Sequence, residues 1–372
     1  FALLFAGCPR PPAPTPSPCE RPALAEARAQ LIEALGLPPS RRAPGEAIVF
    51  PRQVIDGLSI GSVTYEHPAV EGEDVHAVLL LPDPLPTTPL PLLLNVHGHW
   101  GDGVGADEVH FRAQVAARAG WAVLSIANRG AEHGFVTPGW RCTHGRQGLY
   151  ADQRTRRSGG TTLGWDVVAT GAGLDLALAG KLPARIDAGR VAVMGFSGGA
   201  ERAAAFAATD PRVGAAVFGA YEYAFSSGHG ASSCSCGALR GAGVPLTDFD
   251  SGGATAPAAS GYPGPVRSWR WLALAACRPG APSTPRPVLA WDDFPDDAMD
   301  AELFSVSSAK RRTGSGHSVS VEVAGGSWAF IEEALRGRAV SKREVTQAIA
   351  RTKQSYAVVH ASYYAPFPPE AV

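Results

Sequence analysis

The segment that most constrains the fold is RVAVMGFSGG (190–199), an apolar run that stops at glycines and a serine. The helix-forming AERAAAFAAT (200–209) follows it at once. The order strand, tight turn, helix places Gly195, Ser197 and Gly199 in a G-x-S-x-G pattern. A turn from strand directly into helix is strained, so it needs residues without side chains on either side of the serine, which it pushes into the open. Ser197 then sits at a helix N-terminus, where backbone N–H groups and the helix dipole favour a negatively charged oxygen.

The rest of the chain repeats that alternation. GLSIGSVTYEH (57–67) and DVHAVLLLP (74–82) read as strands, and PLLLNVHGHW (91–100) is a continuous apolar run of the kind buried parallel strands show. A helix over 107–119 leads to the strand GWAVLSIANRG (120–130), and a helix over 163–180 leads to the segment ending at Ser197. VGAAVFGAY (213–221) and PRPVLAW (285–291) supply further strands, and SWAFIEEALRG (327–337) a closing helix. Such a sequence predicts the α/β class: a mostly parallel central sheet with helices on both faces. One domain over 20–338 accounts for this pattern. The helix ERPALAEARAQLIEALGL opens it, and a Ser/Gly/Ala/Pro-rich stretch at 226–265 reads as a lid-like insertion. Residues 339–372 form a helical extension whose place in the fold the sequence does not choose.

Charge is balanced, 33 basic against 34 acidic residues, so no basic surplus exists to neutralise a nucleic acid. No apolar run approaches the ~18 residues of a membrane span. The chain begins FALLFAGC, and Ala6-Gly7-Cys8 resembles the tail of a bacterial lipoprotein signal. That resemblance implies a lipid on Cys8, which is then the chain's link to a membrane, and an exported protein, periplasmic, outer-membrane-anchored or secreted. The proline-rich stretch that follows, to residue 19, reads as an extended tether. Apart from Cys8 there are Cys19, Cys142, Cys234, Cys236 and Cys277. Cys234 and Cys236 are too close in sequence for an easy mutual bond, so a disulfide from either requires Cys142 or Cys277. His229 lies near Cys234 and Cys236, but no C-x₂-C pair does, and the expected oxidising compartment favours a disulfide over a metal site.

A hydroxyl nucleophile needs a base and an orienting acid. In a strand–serine–helix fold these follow in the order acid, then histidine. His317, in GSGHSV just ahead of the last helix, stands where the base belongs; His360 lies in the extension and reads as surface or packing. The acid belongs after PRPVLAW, where Asp292, Asp293, Asp296 and Asp297 crowd one loop; Glu222, after the preceding strand, is an outside candidate. An oxyanion needs two N–H donors: that of Gly198, and that of His99 in the loop His97-Gly98-His99. Trp100 is a candidate pocket residue, and His97 reads as structural. No metal or cofactor is required.

These motifs (NVHGHWGDG, ARIDAGRVAVMGFSGGAERAAAFAATDPRVGAAV, SCSC, PRPVLAW and GSGHSV, spanning about 60–338) resemble those of the α/β-hydrolase superfamily. Within it, they are similar to acetyl xylan esterase-like and prolyl oligopeptidase-like serine hydrolases. The resemblance implies ester hydrolysis through an acyl-enzyme on Ser197, with small esters or acylated carbohydrates as substrates. Its spacing after PRPVLAW lands on Asp296 as the acid, with Asp293 and Asp297 open, and its Cys-x-Cys matches Cys234 and Cys236. Glucuronoyl esterases are a poorer match, since their arginine after the nucleophile is absent from Gly198-Gly199. A serine peptidase of the prolyl oligopeptidase kind and a non-catalytic binding protein of this fold are the alternatives.

Overall fold

The computed structural model describes residues 18–20, 22–36, 45–49, 52–69, 74–98, 103–127, 162–219, 274–280, 285–291, 309–312 and 319–363. Its strands are β1 (Ile48–Val49), β2 (Gln53–Ile55), β3 (Leu58–Glu66), β4 (Asp74–Pro82), β5 (Leu90–Val96), β6 (Ala122–Ile126), β7 (Ile186–Phe196), β8 (Ala215–Gly219), β9 (Val288–Trp291) and β10 (Ala309–Arg312). The helices are α1 (Pro22–Leu35), α2 (Asp107–Arg118), α3 (Thr162–Leu178), α4 (Gly198–Thr209), α5 (Val321–Arg336) and α6 (Lys342–Tyr363).

The strands make one sheet in the order β1-β3-β4-β6-β5-β7-β8-β9-β10, with β2 also on β3. From β6 through β10 every pairing is parallel, whereas β1 to β4 form an antiparallel wing joined to β6. The expected architecture is therefore present. The serine strand, β7, sits inside the parallel part, between β5 and β8.

Continuous apolar runs arise because both sheet faces are covered. Along β7, Val191 and Val193 face one core layer, and Ala192, Met194 and Phe196 face the other. β5 divides likewise, with Leu92, Leu94 and Val96 opposite Leu93. The first layer is closed by α1, α3 and the alanine-rich face of α4; the second by α2, α5 and α6. Alanines let α4 lie close on the sheet: Ala200, Ala203, Ala204, Ala207 and Ala208 are all fully buried.

Two differences from the sequence reading have local causes. β10 has the sequence AKRR, with no apolar alternation to announce it; among the described residues it ends the sheet order. Helix α5 starts at Val321 instead of near 327, because Ser320 caps it by accepting the N–H of Val323 (3.3 Å). Glycines at 325 and 326 masked that first stretch as a loop.

The C-terminal helix docks on the body. Val359 is fully buried in the second layer, with Val345 and Ile349 packed against it. The Tyr356 hydroxyl bonds the Asp107 carboxylate, and His360 Nε2 lies 3.1 Å from the Gly105 carbonyl. His360 thus packs on the body, one of the two roles read for it.

The cysteine pairing needs a correction. Cys277 is bonded to Cys19, so it is not the partner of Cys234 or Cys236. Cys19 is not part of an extended tether: it is buried and its bond spans 258 residues of sequence, tying the start of α1 to the 274–280 segment. Arg28 on α1 reinforces this junction, donating to the carbonyls of Cys277 (2.8 Å) and Ala208 (3.3 Å). Cys8, Cys142, Cys234 and Cys236 lie outside the described residues, as do the 226–265 insertion and nearly all of the tether.

Candidate active site

Ser197 has φ 52° and ψ −128°, a backbone state that costs a non-glycine residue about 1–3 kcal/mol and persists only when its surroundings enforce it. They do so on both sides. A Cβ on Gly195 would stand 2.0 Å from the Gly199 carbonyl oxygen, and one on Gly199 would stand 2.6 Å from the carbonyl oxygens of Val96 and His97. The turn therefore closes on itself and against the end of β5 at distances only glycine allows. The Ser197 N–H donates to the Gly219 carbonyl at the end of β8 (2.8 Å), locking the turn to its other neighbour. The Ser197 side chain makes no capping bond to α4. The N–H of Gly198, in the helix's first turn, has no intrahelical acceptor. One expectation is corrected: Ser197 is not in the open but buried, at 6% exposure, because β7 is an inner strand and the ends of β5 and β8 close around the turn.

The end of β5 is held by a buried polar network. Glu108 on α2 accepts the Gly98 N–H through Oε1 (3.0 Å) and Arg112 Nη1 through Oε2 (3.0 Å). Arg112 also donates Nε to Asn95 Oδ1 (2.8 Å) and Nη2 to the Val96 carbonyl (3.0 Å). The Asn95 amide in turn donates to the Val109 carbonyl and to Ser125 Oγ, both at 3.0 Å. The His97 ring is buried, and Nδ1 stands 2.6 Å from the Gly98 carbonyl. Burial, then the charges of Arg202 and Arg112, push its pKa down to about 3 against the opposing pull of that carbonyl, so the ring is neutral and Nδ1–H is the donor. His97 is structural, as read.

A second buried ion pair backs the other side of the turn. Arg202, one helical turn beyond the serine, pairs through Nε with Asp166 Oδ2 on α3 (2.5 Å) and donates Nη1 to the Gly198 carbonyl (3.0 Å). The register Phe196↔Gly219↔Trp291 makes the C-terminal ends of β7, β8 and β9 level. The chain therefore leaves β8 three residues before Glu222, and β9 one residue before Asp292, at the edge that carries Ser197.

Of the site residues read from the sequence, Ser197 and Gly198 are described and adjacent. His99, Trp100, Glu222, Asp293, Asp296, Asp297 and His317 lie outside the described residues. Asn95, Glu108, Arg112, Asp166 and Arg202 were not singled out. One signal was readable: Asn95 interrupts the apolar run PLLLNV, and a polar side chain in a two-face buried strand requires partners.

No family model and no curated protein matches the sequence. Solved structures do match in shape. Methylesterase BT1017 superposes with a TM-score of 0.59 at 17% identity, over 87% of this chain and 65% of that one. The glucuronoyl esterase from Solibacter usitatus gives 0.56 at 14% identity, over 83% and 91% of the two chains. The acetyl xylan esterase from Paenibacillus sp. R4 gives 0.51 at 17%, over 84% and 93%. The chain thus spans just under two-thirds of the methylesterase's length. The glucuronoyl and acetyl xylan esterases match with similar scores, so shape does not rank them in the order the sequence motifs did. The strand order, the serine turn and these superpositions together give the chain the α/β-hydrolase fold.

Proposed function

We propose that the protein is a serine carboxylic ester hydrolase, with Ser197 as nucleophile, His317 as base and Asp296 as the orienting acid. The observation that carries this reading is the Ser197 turn, a strained backbone enforced by two glycine contacts at the C-terminal edge of an inner parallel strand. Strain of this kind is kept where it aims a side chain. In the proposed reaction Ser197 Oγ attacks the ester carbonyl carbon as His317 takes its proton. The N–H groups of Gly198 and His99 hold the tetrahedral oxyanion, and the leaving alcohol departs with the proton from His317. Water, deprotonated by His317, then attacks the acyl-enzyme and restores the serine. Asp296 holds the imidazole in its working tautomer, with Asp293, Asp297 and Glu222 as alternative acids, and Trp100 lines the pocket.

Esters of carbohydrates are the proposed substrate class. Support comes from the proteins that share the fold: a methylesterase, a glucuronoyl esterase and an acetyl xylan esterase. The proposed setting is outside the cytoplasm, with Cys8 as lipid anchor, supported by the Cys19–Cys277 bond, a linkage that persists in oxidising compartments. The test is turnover of p-nitrophenyl esters from acetate to octanoate by the purified protein and its Ser197→Ala variant. Hydrolysis of short-chain esters, lost in the variant, is expected. Equal activity in both would remove Ser197 from the mechanism.

A further inference from the structure

Against the end of β5 lie two charged side chains that the reaction itself does not use. Glu108 and Arg112 are 5% and 1% exposed and sit one turn apart on α2. A buried ion pair is on average no more stabilising than well-packed apolar residues of the same volume. What distinguishes this pair is what else it binds. Between them the two side chains take the Gly98 N–H, the Val96 carbonyl and the Asn95 amide oxygen, which are the last groups of β5 and the first of the loop. The Gly98 N–H is thereby turned inward, toward α2. The Gly98 carbonyl is taken by His97 Nδ1–H. Both backbone polar groups of Gly98 are thus held. The next N–H along the chain belongs to His99. That N–H is the proposed second oxyanion donor. A donor of this kind must be held to within about half an ångström, and a misplacement of about 1 Å costs on the order of 100-fold in rate.

We propose that Glu108 and Arg112 are positioning residues for catalysis: they hold the end of β5 so that the peptide after Gly98 presents its N–H to the transition state. The inference rests on Ser197 being the nucleophile. Glu108 is the essential half, since its Oε1 accepts the Gly98 N–H, and Arg112 holds that carboxylate in place.

The test compares the full chain with two double variants on p-nitrophenyl acetate and with a trifluoromethyl ketone, whose tetrahedral adduct mimics the transition state. E108M/R112M removes the pair while keeping apolar volume. E108Q/R112M gives Gly98 back an acceptor without a charge. For E108M/R112M, kcat is expected to fall about 10- to 100-fold with KM within about threefold, and ketone affinity to fall by the same factor as kcat. The Gln variant is expected to recover at least half of that loss on a logarithmic scale. A folded Met variant with near-wild-type kcat, a loss confined to KM, or a Gln variant no better than Met would each overturn the proposal. Should the Met pair fail to fold, Glu108→Asp decides. It keeps a charge for Arg112 but withdraws from Gly98, so the same kcat loss is expected, and wild-type kcat would refute the role. A wild-type protein that neither hydrolyses esters nor binds the ketone would bring down the Ser197 reading, and this proposal with it. An active wild type, a dead Ser197→Ala and undisturbed Glu108 variants would overturn this proposal alone.

Discussion

The ion pairs around the serine turn and those on the C-terminal helix are built from the same residue types and do different things. Glu108–Arg112 and Asp166–Arg202 are almost wholly desolvated, and each also grips a backbone group: the Gly98 N–H just past the β5 end that meets the turn in one case, the Gly198 carbonyl in the other. Lys353–Glu322, which joins α6 to α5, has both side chains more than half exposed and touches no backbone group of the turn. Position decides their worth. A desolvated pair cannot lose one partner without stranding a charge, whereas an exposed pair exchanges its partner for water. Around the turn, charge serves to fix backbone; on α6 it decorates a helix already held by Val359, Thr352 and Ser355 in the interface.

The largest effect that sharpens this contrast is removal of one partner. Arg112→Met, leaving Glu108 buried alone, is expected to lower unfolding free energy in urea by about 3–5 kcal/mol, and Glu108→Met added to it to restore most of that loss. Additive losses in the double variant would break the distinction. Next stands the covalent tie: with Cys19→Ser and Cys277→Ser together, a loss of about 2–5 kcal/mol is expected, read from the same curves. Third is the histidine beneath the loop. An unfolded histidine titrates near 6.5, but buried His97 is pushed down to about 3. Between those values the unfolded chain binds a proton that the folded one refuses. This cost is absent above pH 6.5 and grows as pH falls toward 3. From pH 7 to pH 5 it amounts to about 2 kcal/mol, and His97→Asn is expected to flatten that part of the stability–pH curve. The smallest effect belongs to the surface: Lys353→Ala is expected to shift stability by less than about 1 kcal/mol and by less still at high salt.

How much was legible follows from the same physics. The serine turn could be read because sterics leave few sequences that pass from strand to helix in one step, and glycines at 195 and 199 are visible as letters. Apolar runs such as RVAVM and PLLLNV announced inner parallel strands. Glu108 and Arg112 stayed hidden because a charged pair at i and i+4 on a helix is, in sequence, the signature of a solvent face. Only burial against the end of β5 gives it another meaning. The AKRR strand at 309–312 was invisible because nothing in its letters alternates, and it is defined by its parallel pairing with β9. The Cys19–Cys277 bond was missed because a proline-rich approach to Cys19 reads as tether, and partner choice across 258 residues is a property of the fold.

The most direct test is whether Ser197 reacts as a nucleophile. The folded protein would be treated with a fluorophosphonate, digested, and the modified residue located by mass spectrometry. A single adduct on Ser197, absent after unfolding and absent from Ser197→Ala, is the expected result. An unmodified Ser197 in folded protein, or an adduct on another serine that survives Ser197→Ala, would contradict it.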